Sequence, residues 1–191
     1  MKLRAEQNTQ QNTEQSTQVA PLSKPKSLSL LYRDIGYLLI KVFLLGLVLS
    51  ILLLVIFGVV RNTDIGMSPA VKHGDLVVYF RLDKQYTASD LVVLTYDGAS
   101  QIRRVVAVAG DTVDITENGL VINGRLQDEV EIIGETLAYT GGIKFPVTLE
   151  TGEVFLLGDS REQSEDSRLY GAVQASDTLG KVMVIMRRRN L

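Results

Sequence analysis

The sequence predicts a mainly β protein, with a single N-terminal transmembrane helix followed by an all-β domain. Two observations carry this prediction. A long apolar run occupies residues 37–60 near the N-terminus. After it, short segments that alternate apolar and polar residues follow one another with turn residues between them, which is typical of strands. Residues 61–191 contain no long amphipathic helical pattern, so we expect an all-β domain there.

The first segment, residues 1–36, reads as a polar tail and a juxtamembrane stretch. Gln, Thr, Asn and Ser dominate residues 1–26. Such a composition buries too little apolar surface to offset the entropy lost on ordering, so we expect a disordered cytoplasmic tail. A docking segment for a partner is the alternative interpretation.

The apolar run at residues 37–60 is long enough to cross a membrane. No charged residue occurs from Val42 to Val60, a length close to the ~20 residues that a spanning helix needs. A buried helix of a soluble protein seldom runs so long without a polar face, and a cleaved signal peptide would have a shorter apolar region. We therefore predict a transmembrane helix.

The charges that flank the apolar run predict its orientation. Lys24, Lys26, Arg33 and Lys41 precede the uncharged core, whereas Arg61 follows it. Because Lys and Arg accumulate on the cytoplasmic side of a span, the N-terminus is expected in the cytoplasm. The protein is then a single-pass protein of the cell membrane, with residues 61–191 as its extracellular domain.

The strands of the outer domain are predicted from period-2 alternation bounded by Gly, Asn and Asp. Seven segments show the pattern: 75–82, 90–97, 101–110, 112–119, 119–124, 153–159 and 178–186. Residues between Arg125 and Val147 have no clear pattern and read as an insertion or a flexible hairpin. The arginines that end the chain, Arg187–Arg189, suggest a solvated tail or a contact with anionic lipid or wall polymer.

Composition excludes several classes of function. The formal net charge of −2 gives no basic face for a nucleic acid, so no nucleic-acid partner is expected. The chain has no Cys and a single His, His73, which excludes disulfides, thiolate metal sites and His clusters. We expect no metal and no cofactor. A Cys-free outer domain fits a Gram-positive surface protein.

Three motifs occur in order between the apolar run and the C-terminus. They are Gly66-Met67-Ser68-Pro69 with Gly74-Asp75 behind it, Arg103–Asp111, and Gly158–Arg168 with Gly171 behind it. Together they resemble the conserved motifs of type I signal peptidases, the Ser–Lys endopeptidases that remove signal peptides at the outer membrane face. The third motif is the most specific, because it departs from the family pattern Gly-Asp-Asn-x-x-x-Ser-x-Asp-Ser-Arg only at Ser160.

The resemblance implies a catalytic Ser and Lys at positions where this chain has neither. The family's Ser directly precedes the Met of its first motif, and that position is Gly66 here. The family's Lys directly precedes the Arg of its second motif, and that position is Arg103. A glycine has no side chain that could attack, and an arginine stays protonated and cannot act as a base. Asp64 stands where the family often has an oxyanion-stabilising Ser, and a carboxylate would repel an oxyanion.

Ser68 is a weak substitute nucleophile. Residues 66 and 68 of an extended chain lie about 6–7 Å apart, whereas catalysis tolerates only about 1 Å of misplacement. The candidate bases are Lys72, His73, Lys144 and Lys181, and none occupies the family's Lys position. A triad of Ser68, His73 and Asp75 is conceivable, but these residues are too close in sequence to converge. The prediction is therefore a pseudoenzyme with no intact catalytic residue.

The remaining site residues form two predicted groups. The substrate cleft comprises Asp64, Ile65, Gly66, Met67, Ser68, Gln101, Ile102 and Arg103. The scaffold network comprises Asp159, Arg161, Ser164, Asp166 and Arg168, in which the family's Ser would orient the catalytic Lys. Because acidic and basic residues alternate there, we expect them to pair with one another. We also hypothesise that Arg103 pairs with Asp64 across the former site.

Two functions follow from the resemblance. The first is a binding module: the family's cleft holds an extended peptide as an added strand, which requires neither Ser nor Lys. Signal-peptidase-like proteins of this kind accompany pilus assembly in Gram-positive bacteria, so the expected partners are a secreted polypeptide or pilin and a sortase. The second is an active signal peptidase that uses an unusual nucleophile such as Ser68.

Overall fold

The N-terminal helix is long and apolar. The structure, a computed structural model, describes residues 28–130 and 132–187, so the predicted disordered tail at residues 1–27 lies outside the described residues. Helix α1 covers Leu28–Ile56, and an 18-residue window within Leu30–Ile56 has a mean hydropathy of 3.0, so the helix is long and apolar enough to cross a membrane. The juxtamembrane residues from Leu28 onward, assigned to the tail by the sequence, are helical.

The predicted helix ends too late. Residues 57–60 belong to strand β1, Phe57–Arg61, which pairs with strand β2, Leu76–Phe80. Aromatic and β-branched residues fit such a paired, half-buried position. Gly58 explains why pairing is possible, because a Cβ at this position would overlap the Tyr79 ring opposite it. Hydropathy alone cannot distinguish these residues from the helix that precedes them.

A seven-stranded antiparallel sheet forms the larger part of the β domain. Its order is β1-β2-β11-β3-β4-β9-β10. The further strands are β3 (Leu91–Tyr96), β4 (Ala99–Val108), β9 (Glu153–Leu157), β10 (Val173–Gln174) and β11 (Gly180–Met186). Strand β4 is central to the site, because its residues 99–104 pair with β3 whereas β9 pairs with it only from Arg104 onward.

A second antiparallel sheet has four strands in the order β7-β6-β5-β8. Its strands are β5 (Thr112–Thr116), β6 (Gly119–Ile122), β7 (Arg125–Leu126) and β8 (Val147–Thr148). Each of the seven segments predicted from the sequence overlaps one observed strand, although β4 begins at Ala99, before its predicted start at residue 101. The prediction missed β1, β7, β8 and β10, since β1 was assigned to the helix and two-residue strands are too short for a period to show.

Short helical turns lie inside the third motif and near the C-terminus. A 3₁₀ turn covers Arg161–Gln163, helix α2 covers Ser167–Tyr170, and a second 3₁₀ turn covers Ala175–Asp177. The Asp166 carboxylate caps α2 by accepting the backbone N–H of Arg168. This capped turn fixes the direction in which the Arg168 side chain leaves the backbone.

Three clusters of buried apolar side chains form the core. One contains Met67, Val71, Val77, Tyr79, Val93 and Ile102, the second is centred on Val92, Val105 and Leu156, and the third on Val113, Leu120 and Phe155. Met67 and Ile102, both assigned to the substrate cleft by the sequence, are buried in the first cluster. Their side chains therefore connect the predicted cleft to the core.

Candidate functional site

Arg103 and Asp64 meet where the resemblance locates the catalytic centre. Strand β4 holds the Arg103 side chain, which is only 1% exposed, and its Nη1 forms an ion pair with Asp64 Oδ2. The Arg103 Nε also donates to the Glu165 carbonyl at 2.9 Å, and Nη1 donates to the Ile102 carbonyl at 2.6 Å. The pair hypothesised from the sequence is present.

Asp64 also binds the backbone at the position of the missing nucleophile. Its Oδ1 accepts the N–H of Gly66 at 3.0 Å, while its own N–H donates to Asn62 Oδ1 at 3.2 Å. Backbone N–H groups at such a position are the usual donors to a developing oxyanion. In this chain the Gly66 N–H is already bound to a carboxylate of the protein.

The space beside Gly66 is filled. A Cβ built on Gly66 would lie 2.8 Å from Ser164 Cβ and 3.2 Å from Asp64 Oδ2. The Gly66 carbonyl accepts the N–H of Ser160 at 2.9 Å, which ties the first motif to the third. Ser164 donates its hydroxyl to Asp166 Oδ2 at 2.5 Å. The neighbouring atoms thus leave no room for a side chain at residue 66.

Ser68, the substitute nucleophile, has no base beside it. In the part of the chain that the structure describes, its hydroxyl makes no hydrogen bond with a Lys or His side chain, and its backbone N–H donates to Ile65 O at 3.0 Å. The His73 ring lies elsewhere, with Nδ1 3.0 Å from the Thr63 carbonyl. The proposed Ser68, His73 and Asp75 triad is therefore not assembled.

The third motif forms a network of ion pairs, but its partners differ in part from those expected. Arg168 binds Asp166 through Nε and Nη2, each at 2.8 Å, and both side chains are buried. Arg161, 1% exposed, pairs instead with Glu129 at 2.5 Å. Asp159 binds the second-motif Arg104 through both carboxylate oxygens, at 2.7 and 2.6 Å. The network thus joins the third motif to Arg104 of the second motif and to Glu129.

Sequence reasoning missed the residues that complete this network. Arg161 Nε donates to Thr136 Oγ1 at 2.7 Å, and Arg168 Nη1 donates to the Leu137 carbonyl at 3.2 Å. The Tyr139 hydroxyl donates to the carbonyls of Ser164 and Arg161, and its ring lies 4.3 Å from the Arg168 guanidinium carbon. Burial raises the pKa of Tyr139, and the nearby Arg168 opposes this shift. Residues 136–139, which lie in the stretch without a sequence pattern, are therefore held in place by contacts with Arg161 and Arg168.

One stretch of β4 has an unpaired edge. Residues 99–103 pair with β3 on one side, and β9 reaches β4 only from Arg104. Val93 lies opposite Ile102, and its carbonyl accepts the N–H of Leu179. The backbone hydrogen-bonding groups of Val93 therefore face away from β4. Because antiparallel pairs alternate, the backbone groups of Ile102 and Ser100 also face away from β3, toward the open edge. Among the described residues, Arg103 donates to the Ile102 carbonyl at this edge.

Two buried polar atoms on this side of the site have no hydrogen-bond partner among the described residues: Gln101 Oε1 and the Tyr170 hydroxyl. Gln101 lies between Ser100 and Ile102 on β4, and Tyr170 stacks on Tyr96 with ring centroids 4.5 Å apart. Burial raises the pKa of Tyr170, so this hydroxyl stays protonated. Within residues 28–130 and 132–187, no cluster of His, Asp and Glu is placed to hold a metal ion.

Comparison with known proteins gives a consistent set of relatives. The family model described as "Signal peptidase, peptidase S26" matches residues 35–187. Signal peptidase I of Bacillus licheniformis is 28% identical over 144 residues, covering 68% of this chain and 76% of that protein. Signal peptidase IB of Staphylococcus aureus strain COL is 27% identical over 135 residues, covering 61% and 70%. A crystal structure of a signal peptidase I from Enterococcus faecalis V583 aligns with 22% identity and a TM-score of 0.40, covering 52% of this chain and 97% of that one.

Proposed function

This chain belongs to the signal peptidase family, peptidase S26, and we propose that it is a membrane-anchored member that binds polypeptides without cleaving them. The observation that carries the proposal is the buried ion pair between Arg103 and Asp64. It places a permanently charged guanidinium where the family's chemistry needs a neutral base. The same carboxylate binds the Gly66 N–H, which a substrate carbonyl would need.

Binding is supported by the open edge of β4. An extended peptide can add to an unpaired strand edge through main-chain hydrogen bonds, and this requires no catalytic group. Half-buried Ser100 offers its N–H and carbonyl, whereas Ile102 is buried. The Ile102 carbonyl is held by Arg103, so a peptide would pair with a shorter edge than the strand length suggests.

The partners that we propose are polypeptides at the outer face of the cell membrane. The long apolar helix and the excess of Lys and Arg before it support an anchor with a cytoplasmic N-terminus. Resemblance to the degenerate signal-peptidase-like proteins of Gram-positive pilus assembly suggests a pilin as the bound chain and a sortase as the enzyme that receives it. A cleft that holds a chain without cutting it suits such a presenting role.

An active peptidase with Ser68 as its nucleophile is the competing function. No hydrogen bond in the described part of the chain favours it, since Ser68 has neither a base nor a second group to orient one. Signal-peptide cleavage that is lost in Ser68→Ala would support this function and contradict ours.

Strand addition can be tested at Ser100 with the full chain in lipid vesicles. Ser100→Pro removes the N–H that faces the open edge, and proline is tolerated where that N–H has no partner within the sheet. We expect a fluorescent extended peptide, taken from the signal-peptide region of a secreted protein, to bind about tenfold more weakly, because one main-chain hydrogen bond is lost and the ring obstructs pairing. Ser100→Ala keeps the N–H and is the matched control. Equal binding by wild type, Ser100→Ala and Ser100→Pro would contradict strand addition.

A further inference from the structure

The face of strands β3 and β4 that carries Arg103 also carries two buried polar groups. Side chains two residues apart on a strand share a face, so Gln101 lies on the same face as Arg103. Leu94 stands opposite Gln101 and belongs to the second core cluster, against which Tyr170 packs. Ile102, between Gln101 and Arg103, points the other way into the first core cluster. The open edge of β4 therefore has buried polar groups on one face and an apolar cluster on the other.

The Tyr170 side chain lies across the row of the sheet that contains Gln101. Its ring stacks on Tyr96, with ring centroids 4.5 Å apart. Burial raises the pKa of the Tyr170 hydroxyl, and the Arg103 guanidinium is close enough to oppose this shift. In the register of β3 and β4, the row of Gln101 lies between the rows of Tyr96 and Arg103. Tyr170 therefore extends from one neighbouring row toward the other, over Gln101.

Gln101 Oε1 and the Tyr170 hydroxyl need complementary partners. Both atoms are buried, and neither forms a hydrogen bond among the described residues. A buried polar atom without a partner destabilises the folded chain, so native proteins keep few of them. Oε1 needs a donor, and the protonated hydroxyl of Tyr170 needs an acceptor. A ligand group that carries a donor and an acceptor side by side would satisfy both atoms.

A strand added at the open edge of β4 would bring one of its side chains to these two atoms. Residues opposite each other on adjacent strands share a face, with Cβ atoms about 4.5–5.5 Å apart. The peptide residue beside Gln101 would therefore point toward Gln101 and Tyr170, and the residues on either side of it would point to the apolar face. Gln101 is 9% exposed and lies next to half-buried Ser100. The terminal amide of Gln101 turns about a soft torsion, which allows Oε1 to face that side chain.

We propose that Gln101 and Tyr170 form a subsite for a carboxamide side chain, Asn or Gln, of the bound polypeptide. The amide nitrogen of that side chain donates to Gln101 Oε1, and its oxygen accepts the hydrogen of the Tyr170 hydroxyl. This inference rests on the strand addition proposed above and specifies which chains the edge selects. An aliphatic side chain such as Leu would leave both atoms buried and unpaired.

Paired peptides test the subsite on the full chain in lipid vesicles. A fluorescent extended peptide carries Asn or Leu, which have similar shapes, at each position in turn. We expect an approximately tenfold preference for Asn at one position only, because Leu there leaves two polar atoms without partners. Tyr170→Phe and Gln101→Met remove the hydroxyl and the amide with little change in volume, and each should reduce the preference below about threefold. Gln174→Met, on exposed β10, is the matched control and should retain it.

The stability of the free chain separates a binding role of Tyr170 from a structural one. Tyr170→Phe removes a hydroxyl that has no partner among the described residues, so chemical denaturation in detergent without peptide should give an equal or higher midpoint. Tyr86→Phe is the matched control, because the Tyr86 hydroxyl hydrogen-bonds with Thr178 Oγ1 at 2.5 Å and its loss should lower the midpoint. A lower midpoint for Tyr170→Phe would assign this hydroxyl to the fold and contradict the proposal.

Three binding results would also overturn the carboxamide subsite. Equal affinity for Asn and Leu at every position, with both peptides weakened by Ser100→Pro, would remove the subsite and leave strand addition standing. A preference for Asn that survives both Tyr170→Phe and Gln101→Met would assign the selectivity to other residues. Absence of binding by every peptide, to wild type and Ser100→Ala alike, would contradict strand addition and the subsite together.

Discussion

Arg103 is the most highly connected side chain at the position of the family's general base, with one ion pair and two bonds to carbonyls. It is buried, and its guanidinium binds Asp64, the Glu165 carbonyl and the Ile102 carbonyl at once. A buried guanidinium is stable only when its charge and its N–H groups are matched in this way. Asp64 is thus the residue on which the position of Arg103 depends.

A double-mutant cycle measures that dependence. Asp64→Asn leaves the buried Arg103 without its counter-ion and should lower the free energy of unfolding by about 3 kcal/mol. Adding Arg103→Met to Asp64→Asn should cost less than the sum of the single changes, with a coupling of about 1–2 kcal/mol in chemical denaturation of the full chain in detergent. The more exposed Lys181–Asp90 pair is the control, with an expected coupling below about 1 kcal/mol. Additive effects at Asp64 and Arg103 would show that the pair does not hold the site.

Gly66 leads to a second expectation. Gly66→Ser places a Cβ 2.8 Å from Ser164 Cβ, so it should destabilise the domain by about 1–3 kcal/mol. Adding Ser164→Gly removes the clash and should restore most of that loss in the same denaturation experiment. For the same reason, Gly66→Ser combined with Arg103→Lys should not produce signal-peptide cleavage. A stable, active Gly66→Ser, Arg103→Lys variant would show that the site is less closed than the structure indicates.

The three motifs allowed the Asp64–Arg103 pair to be predicted, because flanking motif residues fix both positions in register. Glu129, Thr136 and Tyr139 could not be predicted in the same way. They lie 22–32 residues from the side chains or carbonyls that they bind, in a segment with neither motif nor period. Only the folded chain brings them to Arg161 and Arg168.

Among the elements, the segment from Glu129 to Tyr139 acts as a strap across the third motif. In its described residues, 129–130 and 132–139, regular structure is minimal, and the position of the segment depends on polar contacts to two buried arginines. Backbone pairing adds one bridge, in which Ile133 donates to the Asp159 carbonyl at 2.9 Å and accepts the Arg161 N–H at 2.9 Å. The strap is therefore ordered by side-chain chemistry, and strand pairing contributes little.

Arg161→Lys tests the strap directly. Lysine cannot reproduce the separate bonds of the guanidinium to Thr136, Glu129 and the Gly158 carbonyl, so stability should fall by about 2 kcal/mol. Hydrogen exchange should accelerate in residues 132–137 more than in β3 and β4. Arg125→Lys on exposed β7 should leave both quantities unchanged. Unaltered exchange in the strap after Arg161→Lys would mean that other contacts order it.

Element prediction succeeded where a strand of five or more residues is bounded by turn residues, as in β3 and β4. It failed at β1, because an apolar strand that directly follows an apolar helix shows no change in hydropathy. The pairing of Phe57–Arg61 with Leu76–Phe80 decides the boundary, and this pairing is a long-range property. The two-residue strands escaped prediction because they exist only through their partners.

For the whole molecule, the arrangement of charge about the apolar helix predicts a cytoplasmic N-terminus. Because the chain has no Cys, a single cysteine reports the side on which it lies. We expect a membrane-impermeant maleimide added to intact cells to label Leu126→Cys in the β domain and to leave Thr13→Cys in the tail unlabelled until the cells are lysed. The reverse pattern of labelling would invert the topology and exclude a role at the outer face.

Peptide cleavage is the most direct test of a signal peptidase body that binds without cutting. The full chain in lipid vesicles, incubated with a secreted precursor, should leave the precursor intact by mass spectrometry while retaining it in the vesicle fraction. The relative named signal peptidase I of Bacillus licheniformis is the positive control for cleavage. Cleavage by this chain that disappears in Ser68→Ala would contradict the account, because it would show that a nucleophile and a base operate beside the Arg103–Asp64 pair.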